Sequence, residues 1–524
     1  MTLIEKVFKQ IEKVSKKEKT GIYIVGGFVR DLLIGREQKK DIDFVVEGSG
    51  LTFAKQFDEA MEEARLRPSS AGRWIGATAR QGSLIEFPDF DTARYLIPLN
   101  EEKTEMLELE FAGARTEKYD PGSRKPKVEK TTLEQDLARR DFTVNAMAVP
   151  VETIARRRPP REPLLRKEGK IDLPLRRGGA EGSFAQEIFD PFNGQQDLKD
   201  KILRTPLNPD TTFSDDPLRM LRAIRFAAQL GFAIEPKTLE AIHRNRARIK
   251  IISAERIQEE LLKLFATPEP SIGLILMFQT HLMDLVLPEV SRLDGVEEIF
   301  GHQHKNNLVH SFKVVDNIAE YSDNVWLRFA GLLHDIGKPG TKKFIPKIGW
   351  SFHGHEHLGK KILYGIAKRL KFSKEHTDYL AKLIRWHMQP IALMDEGITD
   401  SAVRRLIVAM GDLLDDLLVL GRSDITTGNP YKKEKRLKNY DYLKEKIAEV
   451  IERDKLRAFQ SPVRGDEIMH LTGLKPGPTV GKIKEAIEEA ILDGKIPNEY
   501  EAAKKYFEEI KDLLVKEAAE WEKK

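Results

Sequence analysis

The stretch that decides the fold runs from residue 24 to residue 46 and reads IVGGFVRDLLIGREQKKDIDFVV. Ile22 to Val25 is a short, β-branched apolar run that ends in Gly26-Gly27, the pattern of a strand running into a turn. Phe28 to Leu33 has the spacing of a helix start, and Gly35 breaks it. Asp41 to Val46 (DIDFVV) then alternates into a second strand. Residues two apart on a strand point to one face, with Cα atoms roughly 7 Å apart. Asp41 and Asp43 can therefore both reach a pair of metal ions about 3.5–4 Å apart, an arrangement that activates a hydroxyl and neutralises a leaving pyrophosphate. Gly26-Gly27 at the strand end can bring backbone N–H groups against phosphates, and Arg30 stands one turn into the helix, where it could clamp a phosphate oxygen.

Either piece alone is more often a solvated strand end or a plain turn. Together, strand–Gly-Gly–helix followed by a strand carrying Asp-x-Asp is a nucleotidyltransferase pattern. Sites of this kind recruit a third carboxylate from a neighbouring strand. Met106 to Phe111 reads as that strand; Glu110 is the best-placed candidate, and Glu108 shares its face.

The surrounding composition is that of a globular protein. The chain has 524 residues, enough for three to four domains, and its net charge of +4 does not by itself announce nucleic acid. Cysteine is absent, which excludes disulfides, thiolate zinc sites and a cysteine nucleophile. The N-terminus carries no secretory apolar block, and the most apolar run, 271–288, is broken by Gln279, His281 and Asp284. It reads as a buried helix rather than a membrane span, so a soluble, cytoplasmic protein is expected.

Mixed strands and helices over the first 150 residues predict an α+β head with a mixed sheet. From about 150 to 179 the chain turns basic and Pro-rich (RRRPPREPLLRKEGK), as an irregular surface insertion does. Beyond Asp197 helical spacing dominates and no repeat is present. The expected domains are a head (1–150), the insertion and connection (151–196), an all-α neck (197–270), a helical body (271–440) and a helical tail (441–524).

Further motifs follow in order: DLARRDFTVNAMA (136–148), DPLRMLRAIRFAAQLGF (216–232) and SAERIQEELLKLF (253–265). With the opening motif they make the chain resemble the class II CCA-adding tRNA nucleotidyltransferase and poly(A) polymerase family. The resemblance implies a polymerase-β-like head, CTP and ATP as substrates, the tRNA 3′ end as acceptor, and magnesium held by Asp41 and Asp43. It places Gly27 and Arg30 at the triphosphate, Arg139, Arg140 and Asp141 in the sugar and hinge motif, and Asp216 and Arg219 at the base, with Arg222 beside them. The family's usual Glu-Asp before the reading helix is Asp215-Asp216 here. A short connection is usual where the basic insertion stands.

The base-reading pair makes chemical sense unaided. Three residues apart on a helix, Asp216 and Arg219 would share a face. A carboxylate only accepts hydrogen bonds and a guanidinium only donates. Cytosine and adenine both present an amino donor beside a ring-nitrogen acceptor, so the pair suits them and leaves uracil and guanine with unpaired groups, worth up to about 10⁴-fold discrimination. The bland alternative is an ordinary surface ion pair.

Histidines gather between 302 and 387: NNLVHSF (His310), GLLHDIGKP (His334-Asp335), FHGHEH (His355) and IRWHMQP (His387), with GRSD (Asp424) closing the series. This order is similar to the HD-domain metal-dependent phosphohydrolases. It implies a divalent ion on His310, His334, Asp335 and Asp424, with His355 and His387 serving a second metal or a substrate phosphate. Imidazole and carboxylate ligands without thiolate suit manganese, nickel, magnesium or iron. The tail, SPVRGDEIMHLTGLKPGPTVGKIKEAIEEAILDGKI, resembles the C-terminal region of relatives with such bodies.

Three activities fit: CCA addition; poly(A) or partial (A- or CC-) addition; or an HD phosphohydrolase with a nucleotide-sensing head. The intact Asp41-x-Asp43 speaks against the last.

Overall fold

The computed structural model describes residues 3–36, 40–64, 84–99, 105–118, 127–155, 186–299, 302–303, 306–396, 399–454 and 461–521. The basic Pro-rich insertion lies largely outside them. The chain divides into two compact units, Met1–Ser253 with Gln279–Leu282, and Ala254–Phe278 with Met283–Lys524. This boundary cuts through the stretch 197–270 read from sequence as a neck.

In the first unit α1 (Leu3–Glu18) leads into β1 (Ile22–Val25), α2 (Gly27–Leu33), β2 (Asp41–Val46), α3 (Gly50–Glu63), β3 (Leu84–Phe87), β4 (Thr92–Pro98) and β5 (Met106–Gly113). A short ribbon, β6 (Arg115–Lys118) and β7 (Lys127–Lys130), precedes α4 (Leu133–Ala138) and β8 (Ala148–Pro150). Six strands form one sheet in the order β3-β4-β5-β2-β1-β8. Only β2 and β5 run parallel, so the sheet is mixed, as expected.

The alternation in DIDFVV fixes which face is which. Ile42 and Phe44 are buried while Asp41 and Asp43 face outward. Phe44 stacks on Phe111 at 5.0 Å, and Phe53 and Phe57 of α3 each pack on Phe111 at 5.4 Å. Phe8 of α1 completes the cluster. One face of the sheet is thus sealed by aromatic packing, leaving the opposite face to the carboxylates. After β8 the unit turns helical, with Pro209–Asp215, Leu218–Leu230 and Pro236–Asn245.

The second unit is helical apart from two short hairpins. The apolar run 271–288, expected as one helix, is two: Pro270–Gln279 and Met283–Val286, separated at His281, whose φ of 58° ends the first. Among the described residues no helix is long and apolar enough to cross a membrane. Near the C-terminus Val463, Ile468, Val480, Ile483, Ile487 and Phe507 close a hydrophobic cluster of their own.

Candidate functional sites: a carboxylate face and a histidine cluster

Parallel pairing sets Asp41 opposite Glu108 and Asp43 opposite Glu110. Loss of solvation raises the Asp43 carboxyl above its usual range; Glu110, Asp41 and Glu108 push the same way, and Arg140 opposes them. Four carboxylates crowded on one face repel one another, and hard oxygen donors of this kind suit magnesium. Arg94 of β4, missed from sequence, grips Glu108 (Nε to Oε1, 2.6 Å) and reaches Glu110 more loosely (Nη2 to Oε2, 3.3 Å). Arg94 Nη2 donates to Glu110, which is the carboxylate opposite Asp43 in register.

Gly26 stands between β1 and α2 with φ +75°, a conformation that disfavours any side chain. A Cβ there would also come within 3.2 Å of Arg140 Nη1 and 3.3 Å of Asp43 Oδ2. The glycine therefore lets the backbone, the Asp43 carboxylate and the Arg140 guanidinium meet. Arg139 and Arg140 are aimed by Asp136, which the sequence reading passed over. Buried Asp136 accepts from Arg139 Nη2 at 2.7 Å and Arg140 Nη2 at 3.3 Å. Burial alone would raise its carboxyl; the two arginines hold it below the ordinary value.

Arg30, expected at the triphosphate, is instead buried (2% exposed). It donates to Asp31 at 2.8 Å and to Asn145 at 2.8 Å, with Phe226 against its guanidinium. It braces α2 to the DLARRDFTVNAMA segment. Asp141 is the second brace. It accepts two bonds from Arg222, Nε at 2.8 Å and Nη2 at 2.5 Å, and one from Asn145 at 3.0 Å. Burial works against its charge, yet Arg222 and Asn145 lower its pKa to about 2.

This makes Asp141 a stability element with a definite sign. A carboxylate depressed from about 3.8 to about 2 contributes stability that is present above pH 4 and lost as pH falls toward 2. The shift corresponds to about 2 kcal/mol. Asp141→Asn should lower stability at pH 7 by about that amount. It should also flatten the loss between pH 4 and 2, measured by urea unfolding across that range; an unchanged acid limb would count against the brace.

The pair Asp216 and Arg219 differs from expectation in one respect. Asp216 does not lie in the helix: Pro217 forces it into extended backbone (φ −133°, ψ 98°), and the helix begins at Leu218. Its carboxylate accepts the Leu218 N–H at 3.1 Å, and Arg219 reaches the Thr212 carbonyl at 3.4 Å. Both side chains are half-buried.

In the second unit five helix ends bring the histidines together. His310 lies in Asn307–Ala319, His334 follows Val325–Leu333, His355 opens His355–Leu370, His387 follows Lys374–Trp386 and Asp424 follows Leu414–Ser423. Asn306, Asn324 and Ser373 cap three of these helices through their side chains. Gly337 stands two residues after Asp335, just before the short helix Lys338–Thr341. Its φ is ordinary, and its role is close approach: a Cβ would fall 2.0 Å from the His355 carbonyl.

Asp335 is the centre. Its Oδ2 lies 3.2 Å from His334 Nε2 and 3.5 Å from His310 Nε2, and its Oδ1 3.4 Å from His355 Nε2 and 3.8 Å from His387 Nε2. Asp424 Oδ1 is 2.9 Å from His310 Nε2. The Nδ1 atoms of His334, His355 and His387 each face a main-chain carbonyl, of Gly331, Phe352 and Ile384, at 2.8 Å. A carbonyl only accepts, so those Nδ1 atoms carry a proton and the Nε2 atoms are the ones turned inward, the positions through which metal-ligating histidines bind. His310 Nδ1 meets Thr426 at 2.7 Å. Burial and the neighbouring His334 depress His387 to about 4, keeping it neutral. Burial alone would raise Asp335; His334 and Lys338 hold its carboxyl well below the usual range. Ligand atoms of His310, His334 and Asp424, and of His334, Asp335 and His387, lie within 4.8 Å of one another. These five residues therefore fit a divalent ion, with His355 beside them at 3.4 Å from Asp335 Oδ1.

Three family models match the chain. Residues 22–156 match the family model described as poly A polymerase head domain. Residues 231–293 match "Probable RNA and SrmB- binding site of polymerase A", and residues 307–417 match the HD domain. The A-adding tRNA nucleotidyltransferase of Deinococcus radiodurans is 31% identical over 71% of this chain and 78% of its own. The CC-adding enzyme of Thermus thermophilus is 30% identical over 91% of each chain, and the multifunctional CCA protein of Pseudomonas fluorescens is 30% identical over 70% of this chain and 74% of its own. The solved CCA-adding enzyme of Bacillus stearothermophilus superposes with a TM-score of 0.61 at 21% identity, covering 99% of this chain and 100% of that one. The Thermotoga maritima CCA-adding enzyme reaches 0.54 at 20% identity, covering 96% and 95%. An α+β head with the Asp41-x-Asp43 face, a helical remainder with an HD cluster, and these relatives lead to one conclusion: the chain belongs to the tRNA nucleotidyltransferase and poly(A) polymerase family with an HD-type body.

Proposed function

We propose that the chain adds CCA to the 3′ end of tRNA from CTP and ATP, without a template. The observation that carries the reading is the outward face on which Asp41, Asp43 and Glu110 lie in register beside Gly26 and Arg140. Asp41, Asp43 and Glu110 would hold magnesium, which when bound activates the terminal hydroxyl and neutralises the leaving pyrophosphate. Gly26 and Gly27 offer backbone N–H groups, and Arg140 a guanidinium, to the triphosphate. Arg139 is held for the sugar, Asp216 and Arg219 read the base, and Asp141 with Arg222 ties the reading helix to the head. Arg30 supports α2 from beneath.

The division into head (1–150), connection (151–196), neck (197–270), HD body (271–440) and tail (441–524) belongs to this proposal, as does a cytoplasmic location where tRNA is processed. So does hydrolysis of phosphate esters at the HD cluster with manganese, nickel, magnesium or iron. A second reading, addition of only part of the CCA end, is supported by the A-adding and CC-adding activities for which two relatives are named.

The test is to incubate the protein with tRNA lacking its last three nucleotides, magnesium, and CTP, ATP or both, and to size the products. Extension that stops at CCA supports the proposal. Extension that halts at CC, or needs a CC-ended acceptor, supports partial addition. Long A-tails indicate a poly(A) polymerase, and no extension sinks all three.

A further inference from the structure

The helix Pro430–Asp454 is packed for only part of its length. Tyr440, Leu443, Ile447 and Val450 are buried along one face. Lys433 and Arg436 stand seven and four residues before Tyr440, so the helical repeat puts them on that same face. Both are exposed, as is every residue from 430 to 439 except half-buried Leu437. The first two turns and more therefore overhang the unit without a core beneath them.

That overhang is strongly cationic. Lys432, Lys433, Lys435, Arg436 and Lys438 face one acid, Glu434, which pairs with Lys438 at 2.8 Å. Among the described residues the other four make no ion pair. The first turn holds no acid, so the cations crowd the end of the helix where the backbone dipole is already positive. Nothing in folding favours that placement; an anionic partner would. Tyr431, 77% exposed, adds an unpacked aromatic ring at the same end. Lysine and arginine with an interleaved aromatic is the surface on which a nucleic-acid backbone docks while a base stacks. It lies well outside residues 231–293, the segment matched as an RNA-binding site.

We propose that this overhang is a docking surface for the phosphate backbone of the acceptor RNA. The inference rests on the reading that the acceptor is an RNA. The surface is sequence-indifferent, because phosphate contacts position without specifying. It also begins close to the HD cluster along the chain: five residues separate Asp424 from Pro430, a span of at most roughly 20 Å.

The test uses the full chain carrying Lys432→Gln, Lys433→Gln, Lys435→Gln and Arg436→Gln together. Binding of tRNA lacking its CCA end is followed by fluorescence anisotropy across a salt series. Losing four phosphate contacts should weaken binding about 10–100-fold at 0.15 M salt and make the slope of log K against log salt shallower by roughly 3. KM for tRNA should rise while kcat and KM for ATP stay put. Tyr431→Ala should weaken binding several-fold and leave the salt slope unchanged. Unchanged affinity and slope in the quadruple variant overturns the proposal, as does loss of binding to phosphatidylserine vesicles with RNA affinity intact. A wild-type chain that binds no tRNA at all overturns the acceptor reading itself, and this surface with it.

Discussion

Asp43→Ala is expected to reduce nucleotide addition by about 10³-fold or more while leaving the fold at least as stable as before. The two halves of this expectation come from the same observation. Asp43 shares its face with Asp41, Glu108 and Glu110, and both lost solvation and those carboxylates raise its pKa. A group that is unfavourable in isolation but placed opposite a second carboxylate in register serves a bound cation rather than the fold. Removing it relieves repulsion in the free protein and deletes a ligand from a site that stabilises charge in the transition state, a loss of at least about 4 kcal/mol. Single-turnover extension of a truncated tRNA gives the rate, and thermal melting without added metal gives the stability. Extension within tenfold of wild type would remove Asp43 from the metal site. A melting point lowered by many degrees would mean that the residue supports the fold and that the lost activity is secondary. Phosphate-ester hydrolysis at the HD cluster serves as the internal control and should not change.

Legibility from sequence followed the physics of each feature. Ile22–Val25 was readable as a β-branched apolar run ending in two glycines and Asp41–Val46 through its alternation, whose period is two, and their bounds agree with the structure. The shared face of Asp41 and Asp43 follows from the same period. Arg94 was not readable: it reaches Glu108 and Glu110 only because β4 pairs with β5, and pairing between strands leaves no trace in either one's local pattern. Asp136 carries no local mark of its role: it lies in the short helix Leu133–Ala138 and aims both arginines of the same motif. Arg30 has the right spacing for a phosphate clamp, but Asp31 and Asn145, the latter 115 residues away, claim its donors. Asp216 and Arg219 were placed on one helix by counting; the proline between them displaces the first into a cap. In the HD cluster the ligands could be read through their order. The carbonyls of Gly331, Phe352 and Ile384 that set the histidine tautomers could not, because any residue type supplies a carbonyl.

Those carbonyls sharpen the second large expectation: Asp335→Ala should abolish metal retention and phosphate-ester hydrolysis, by about 10³-fold or more, and spare CCA addition. Asp335 is the only carboxylate in the cluster whose two oxygens face different histidine pairs, Oδ2 toward His310 and His334 and Oδ1 toward His355 and His387. Each histidine offers a single Nε2 atom. With Nδ1 of His334, His355 and His387 committed to the backbone, their Nε2 atoms stay pointed inward when the carboxylate goes, and Asp424 is left as the one negative charge among these ligands to offset a dication. Metal content by mass spectrometry should fall to background in Asp335→Ala. His355→Ala, which removes one atom from the Oδ1 side, should keep the ion held by His310, His334, Asp335 and Asp424 and lose hydrolysis by a smaller factor, about 10–100-fold. Asp335→Ala that retains metal would place the ion elsewhere. Asp335→Ala that loses CCA addition as well, in a chain whose first unit still melts at its wild-type temperature, would mean that the two centres are not independent.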